Sequence, residues 1–282
     1  MQIDAHQHFW RLDRGDYAWL TPELAPLYRD YLPHDLAPHL TEAGVSATIL
    51  VQAAPSEQET LFLLEIAQST PFVAGVVGWV DMAAPDVAER LAALKKAGGG
   101  YFKGVRPMIQ DIADPEWITS PSLDRAFDAL EALDLRFDAL VRPIHLAPLL
   151  RRLEGRPELK VVIDHAAKPG IAMGVQSDWY MQIASIASRT SAMCKLSGLV
   201  TEARWDWRAE DIAPFVQHVI TEFGAERIMW GSDWPVLNLA SDYRTWRATA
   251  KQLVASLPAR DRALIFGGAA AAFYGIETHE AV

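Results

Sequence analysis

His6 and His8 lie two residues apart at the end of an apolar run, in Met-Gln-Ile-Asp-Ala-His-Gln-His. Side chains alternate along an extended chain, so both imidazoles share one side of it. His165 closes Val-Val-Ile-Asp-His, and Asp233 follows another apolar run in Ile-Met-Trp-Gly-Ser-Asp-Trp-Pro. Three imidazoles and a carboxylate can share one divalent ion, and an N/O donor set of this kind suits zinc. They can equally work without metal, the carboxylate as general base toward a water and an imidazole as stabiliser of developing charge. The structural alternative is that an interior histidine is a satisfied core residue and that an Asp between Gly and Pro caps a turn. Two histidines stacked at one strand end favour a site.

The elements that must carry these groups can be read from eight apolar runs, at residues 2–7, 47–52, 72–80, 102–106, 136–141, 160–165, 192–196 and 227–232. Near-continuous apolar runs are the mark of parallel strands buried on both faces. Between most of them lie helically periodic segments, 56–68, 85–97, 121–133, 144–153 and 214–223, several opening on a Ser or Pro that suits a first turn. Alternating strands and helices imply right-handed parallel crossovers. Eight strands and 282 residues suit a closed (β/α)8 TIM barrel of class α/β, a fold of ~250 residues, as a single domain over 1–282. A doubly wound dinucleotide fold is disfavoured, because no Gly-rich phosphate loop follows the first run.

A barrel brings the C-terminal ends of its strands to one mouth, where His6, His8, His165 and Asp233 would meet. Residues 9–31 leave that face as a long loop carrying Trp10, Tyr17, Trp19, Tyr28 and Tyr31 before a helix near Pro33. The loop reads as a pocket wall, with Trp19 a substrate contact, or as a packed loop. Gln52, Asp138 and Trp79 end or nearly end assigned strands and are further mouth candidates, as is Lys103 as a substrate-facing ammonium. Arg106, Arg142 and Lys168 each precede a proline, which holds the residue before it extended. Near one mouth they would bind a carboxylate or a developing oxyanion; alone, each is as readily a salt bridge to Asp164 or Asp138. Trp205 and Trp207 are candidates for an apolar wall.

Composition narrows the partners. A formal charge of −10 makes nucleic acid and anionic membranes poor partners. No run approaches the ~20 apolar residues needed to cross a bilayer, and the N-terminus has no signal-like apolar stretch, so a cytoplasmic location is expected. Cys194 is the one cysteine, which excludes an intramolecular disulfide. A closed barrel has no sheet edge to share, so a homodimer would need an exposed apolar patch.

Taken jointly, Ile-Asp-Ala-His-Gln-His-Phe-Trp, Phe-Lys-Gly-Val-Arg-Pro, Val-Ile-Asp-His-Ala-Ala-Lys-Pro, Trp-Gly-Ser-Asp-Trp-Pro and the closing Phe-Gly-Gly-Ala-Ala-Ala-Ala-Phe-Tyr-Gly resemble the amidohydrolase superfamily, in its amidohydrolase-2, lactonase-like branch. The resemblance spans nearly the whole chain. It implies a barrel that hydrolyses small sugar lactones such as fuconolactone or rhamnonolactone, or related cyclic esters such as 2-pyrone-4,6-dicarboxylate, with nonoxidative decarboxylases as sister enzymes. It also implies that His6 and His8 match the strand 1 pair, His165 the strand 6 histidine and Asp233 the strand 8 aspartate. Binuclear members carry a histidine ending strand 5, where this chain has Arg-Phe-Asp-Ala-Leu-Val, so one metal at most is expected.

The resulting expectation is a lactonase. Asp233 would activate a water against the lactone carbonyl, His165 with Lys103, Arg106 or a metal would stabilise the oxyanion, and Asp233 would reprotonate the leaving alkoxide. Gln52, Asp138 and Lys103 would bind hydroxyls. The rivals are a lactonase for a carboxylated aromatic-catabolic substrate, a zinc-dependent decarboxylase, and a ligand-binding barrel without turnover.

Overall fold

Eight short parallel strands pair in sequence order in a computed structural model that describes residues 1–174 and 177–277. They are β1 (Ile3–Gln7), β2 (Ala47–Val51), β3 (Val73–Gly78), β4 (Phe102–Val105), β5 (Arg136–Ala139), β6 (Val161–Ile163), β7 (Met193–Leu196) and β8 (Ile228–Trp230). The sheet closes at the mouth: the His8 N–H donates to the Trp234 carbonyl at 2.7 Å, and the Asp233 N–H to the His6 carbonyl at 2.8 Å. Closure itself therefore sets the residues after β8 against the end of β1. Each strand is followed by a helix: α1 (Pro33–Ala43), α2 (Glu57–Ser69), α3 (Val87–Gly98), α4 (Asp124–Ala132), α5 (Leu146–Glu154), α6 (Ser177–Arg189), α7 (Ala209–Phe223) and α8 (Tyr243–Leu253). The expected (β/α)8 barrel is thus the observed fold. Among the described residues no helix is long and apolar enough to cross a membrane.

Two expectations about local structure are corrected. Pro214 does not open its helix: α7 begins at Ala209, where the Asp211 carboxylate accepts the Arg208 N–H at 2.8 Å, and Pro214 lies inside it. Burial of Ile212, Phe215, Val216 and Val219 along one face outweighs the one backbone hydrogen bond that proline removes. The sixth and eighth strands stop at Ile163 and Trp230, short of His165 and Ser232; His165 sits in a 3-10 turn, and Ser232 in the irregular segment that leads to Asp233.

The core has two parts. One lies between strands and helices; the other fills the barrel, where Ile3, Ala5, Ile49, Val51, Val77 and Met229 pack together. The chain's last helices, α9 (Ala259–Ala263) and α10 (Ala269–Tyr274), cap the far end of that lumen with Phe273 and Tyr274. Ile3 and Ala5 face inward, so a regular strand would turn His6 and His8 outward toward the helices. It does not, because Asp4 pairs with Thr48 and Gln7 with Leu50, one residue more on β1 than on β2. This bulge reverses the alternation. Asp4 faces α8, where it accepts from the Tyr243 hydroxyl at 3.1 Å, while His6 enters the lumen.

The long loop after β1 is fixed by aromatic packing and by α2. Trp10 meets Trp19 and Tyr31 edge to face at ring distances of 5.5 Å. The Trp19 indole N–H donates to the Ala53 carbonyl at 2.8 Å. Ser56 caps α2, accepting the Glu59 N–H at 3.0 Å, and the buried Glu59 carboxylate accepts the N–H groups of Ala53 and Ala54 at 2.9 and 3.0 Å. Burial raises its pKa to about 7 despite those donors. A folded pKa above the unfolded value means that the folded protein keeps a proton the unfolded chain has lost between about pH 4.5 and 7. This residue's contribution to stability therefore falls as pH rises through that window. Glu59→Gln offers one acceptor in place of two and should lower stability by ~1–3 kcal/mol. The difference in unfolding free energy between wild type and variant, followed in urea, should shrink from pH 4.5 to 7; a constant difference would show that Glu59 does not titrate there.

Candidate active site

At the mouth, one oxygen of Asp233 stands among three imidazoles. Its Oδ1 lies 3.3 Å from His8 Nε2, 3.7 Å from His6 Nε2 and 3.9 Å from His165 Nε2. The four residues singled out in the sequence are brought together. The His8 Nδ1–H donates to the Val51 carbonyl at 2.8 Å, so in the neutral ring the Nε2 lone pair faces the carboxylate. Two lone pairs meeting in a buried place are stable only with a proton or cation between them. Burial lowers the His165 pKa to about 4 and that of His6 well below the ordinary histidine value. Burial alone would raise the Asp233 carboxyl, but the imidazoles, His165 foremost, hold it below the usual carboxylate range. Near pH 7 the Asp233 anion thus faces the neutral rings of His6 and His165.

This donor set can take a metal. Ligand atoms of His6, His165 and Asp233 all fall within 4.8 Å of one another, compatible with one ion at the ~2.0–2.2 Å bonds that zinc prefers. His8, turned to the same carboxylate oxygen, is a neighbouring donor. Leu140 and Val141 follow β5, and Lys103 lies elsewhere.

The backbone is contorted where it delivers these groups. His165, Ala166, Ala167 and Lys168 are consecutive left-handed residues with φ of 54°, 48°, 61° and 51°, and Asp233 has φ 59°. Each such non-glycine residue costs roughly 1–2 kcal/mol. The turn is held by the Trp179 indole N–H on the Ala166 carbonyl at 2.8 Å and by the Lys168 N–H on the His165 carbonyl at 2.8 Å. Lys168, expected extended before its proline, is therefore left-handed, because this turn overrides the local preference. Gly198 (φ 61°) is needed opposite, where any Cβ would stand 2.5 Å from His165 Nδ1. Strain of this kind gathers at functional sites.

Beneath the histidines lies a layer that sequence reading missed. Lys195, fully buried on β7, places its ammonium 2.5 Å from Asp138 Oδ2, 3.0 Å from Asp164 Oδ1 and 3.2 Å from His6 Nδ1. The Tyr274 hydroxyl donates to Asp138 at 2.7 Å, tying α10 to the site. Burial lifts the Asp138 carboxyl to about 6, whereas Lys195 and then His6 outweigh burial at Asp164 and keep it ionised. The available signal was a lysine inside the apolar run Met-Cys-Lys-Leu, since a lysine in a doubly buried strand must be paired.

The remaining candidates divide. Arg106 reaches the site, its Nη1 3.3 Å from His6 Nε2 and 3.6 Å from Asp164 Oδ2. Gln52 is buried behind it, donating to the Arg106 carbonyl at 2.8 Å and accepting from its guanidinium, so it clamps Arg106 instead of facing the mouth. Asp138 likewise belongs to the buried layer, with no exposed surface. Lys103 is at the opposite end: three residues before Arg106, roughly 10 Å of strand, its ammonium donates to the Gly275 carbonyl at 3.3 Å. Trp19 and Lys168 line the cavity of about 310 Å³ above Asp233. Arg142 points to Asp111 at 4.0 Å and is not among the residues lining that cavity, Trp79 lines a neighbouring one, and Trp205 is 90% exposed. The Trp207 indole instead donates to the Ala240 carbonyl at 2.9 Å.

Residues 3–276 match the amidohydrolase family profile. The chain belongs to the amidohydrolase family. This amidohydrolase is 45% identical over 280 residues to an L-fucono-1,5-lactonase of Burkholderia ambifaria, covering 98% of this chain and 96% of the relative. It is 36% identical to an L-fucono-1,5-lactonase of Burkholderia multivorans, over 98% of this chain and 96% of that one. A crystal structure of an amidohydrolase from Burkholderia multivorans with bound zinc superposes with a TM-score of 0.93 at 36% identity, covering 98% of this chain and all of the other. A 2,6-dihydroxybenzoate decarboxylase, at 15% identity and a TM-score of 0.69, shares the fold alone.

Lys195→Met should cost this amidohydrolase ~3–5 kcal/mol, because Asp138 and Asp164 would be left without their common cation. Adding Asp138→Asn should restore part of the loss. Urea midpoints of the three proteins test this, and a single variant as stable as wild type would show that the ammonium does not hold the layer together.

Proposed function

We propose that this amidohydrolase opens the ring of a neutral sugar-acid lactone, with L-fucono-1,5-lactone the first substrate to try, through attack of water on the ester carbonyl. The observation that carries the reading is one ionised carboxylate among imidazoles and beside a guanidinium, at the floor of a cavity near the small end of ligand pockets. Support comes from the lactonase relatives at 45% and 36% identity.

In the proposed reaction Asp233 takes a proton from water as the oxygen bonds to the carbonyl carbon. Arg106, held rigid by Gln52, stabilises the charge that develops on the carbonyl oxygen. The ring C–O bond then breaks, and Asp233 returns its proton to the leaving alkoxide, giving a hydroxy acid. Trp19 and Leu239 exclude bulk water, while Lys168 and Gln110 offer hydrogen bonds to ring hydroxyls. A carboxylate held below its usual pKa is a weak base, so the water itself must be made more acidic. His6, His165 and Asp233 would hold one divalent ion, zinc first, whose chemistry is to acidify water and polarise a carbonyl.

A carboxylated lactone is the second reading, favoured by a 2-pyrone-4,6-dicarboxylate hydrolase relative at 27% identity over 51% of this chain. Charge opposes it: the two cations lining the cavity are Arg106 and Lys168, while Asp111 and Asp233 line it too. Lys168 is moreover 3.8 Å from Glu202.

Asp233→Asn should lower kcat on L-fucono-1,5-lactone by ~10²–10⁴-fold with the fold intact, followed by proton release. Lys103→Met, far from the mouth, should stay within about twofold. An active Asp233→Asn variant, or carbon dioxide in place of acid, would overturn the reading. Metal analysis should find one zinc per chain, and His165→Ala should weaken zinc binding at least ~10-fold in equilibrium dialysis.

A further inference from the structure

A second cavity adjoins the one above Asp233. It encloses about 560 Å³, and Trp19, Met108 and Asp111 line both. Its own walls include Trp79, Met82, Ile112 and Trp117, contributed by the segments that follow β3 and β4. Among its described lining residues none is basic, and the charged ones are Asp16, Asp81 and Asp111. Asp16 is already paired with Arg14 at 2.5 Å, and Asp81 accepts the Ala83 N–H at 3.0 Å. A lone sugar ring over Asp233 would leave this larger and more apolar space unused. A largely apolar space of this size beside a reactive centre is the kind of surface that ligands cover.

We propose that this annex receives an uncharged apolar substituent, a short alkyl chain or an aryl ring, carried by the lactone whose carbonyl lies over Asp233. The proposal rests on the lactonase reading and extends its substrate class from sugar lactones to alkyl- and aryl-substituted ones. Tryptophan faces and methionine thioethers adapt to either shape. The rim carboxylates select by charge, since an anionic substituent would meet three acidic side chains, and the cations nearest them, Arg14 and Arg142, already face Asp16 and Asp111 and do not line the space. Ring and substituent would pass between Trp19 and Met108, the first of which is fixed by its hydrogen bond to Ala53.

The test is a series of δ-lactones, from δ-valerolactone to 5-pentyl-δ-valerolactone, with a 5-(4-carboxybutyl) analogue. kcat/KM should rise by up to ~4-fold for each methylene buried, and the carboxylated chain should lose that gain. Ile112→Glu and Trp117→Ala, both outside the catalytic cavity, should flatten the series while leaving turnover of L-fucono-1,5-lactone unchanged. A flat series in the wild type, or a rise that survives both variants, overturns the annex. Titration with 2-pentyltetrahydropyran, which has no ester, separates the two readings. Saturable quenching of tryptophan fluorescence that is lost in Ile112→Glu supports the annex even if no lactone is hydrolysed. Absence of quenching in the wild type overturns it even if sugar lactones turn over.

Discussion

One extra residue in β1 decides what the barrel can do. The strand begins with Ile3 and Ala5 in the lumen, and without the bulge before Gln7 both histidines would face the helices. With it, His6 and His8 enter the mouth while Asp4 turns outward to Tyr243 and to the Ser232 N–H at 2.8 Å. That outward carboxylate helps hold the end of β8 against β1, and the following residue, Asp233, is thereby placed above His6. The shift that aims the histidines and the contact that places their carboxylate lie next to each other on one strand.

The interior is built in layers. Apolar side chains fill the far end, closed by α10. Above them the Lys195 ammonium is shared by Asp138 and Asp164, with Arg106 a second cation 3.6 Å from Asp164, and the imidazoles and Asp233 stand on top. Buried charge is stable here because each member has an opposite partner, and its directional contacts fix His6 from below. The left-handed turn that presents His165 is expensive locally and is held by Trp179 and by the clearance at Gly198. Rigid support beneath, and strain at the working edge, fit a site whose geometry must exist before the substrate arrives.

Charge also shapes what the mouth admits. The guanidinium of Arg106 is engaged by Gln52, His6 and Asp164, leaving it available to a carbonyl oxygen but poorly suited to a second carboxylate. Trp19 stands on the border between the smaller, more polar cavity and the larger, more apolar one. A single loop residue, set by the aromatic cluster behind it, thus bears on both the ring and whatever the ring carries.

The sequence determined the architecture and the reacting groups. Eight apolar runs at barrel spacing specified the strands, because buried parallel strands must be apolar on both faces. Polar residues ending such runs, His6, His8, His165 and Asp233, marked the mouth, because burying them elsewhere would leave them without partners. The sequence alone could not show the partner each long side chain reaches. Lys103 sits near the start of its strand and meets Gly275, whereas Arg106 follows the strand's end and meets His6. Nor could it show that Asp138 and Gln52 are supports, since that depends on Lys195 and Arg106 arriving from strands far apart in the chain. Hydrophobicity is a property of each residue and survives in a one-dimensional reading; pairing of buried charge is a property of distance, and distance exists only after the barrel has closed.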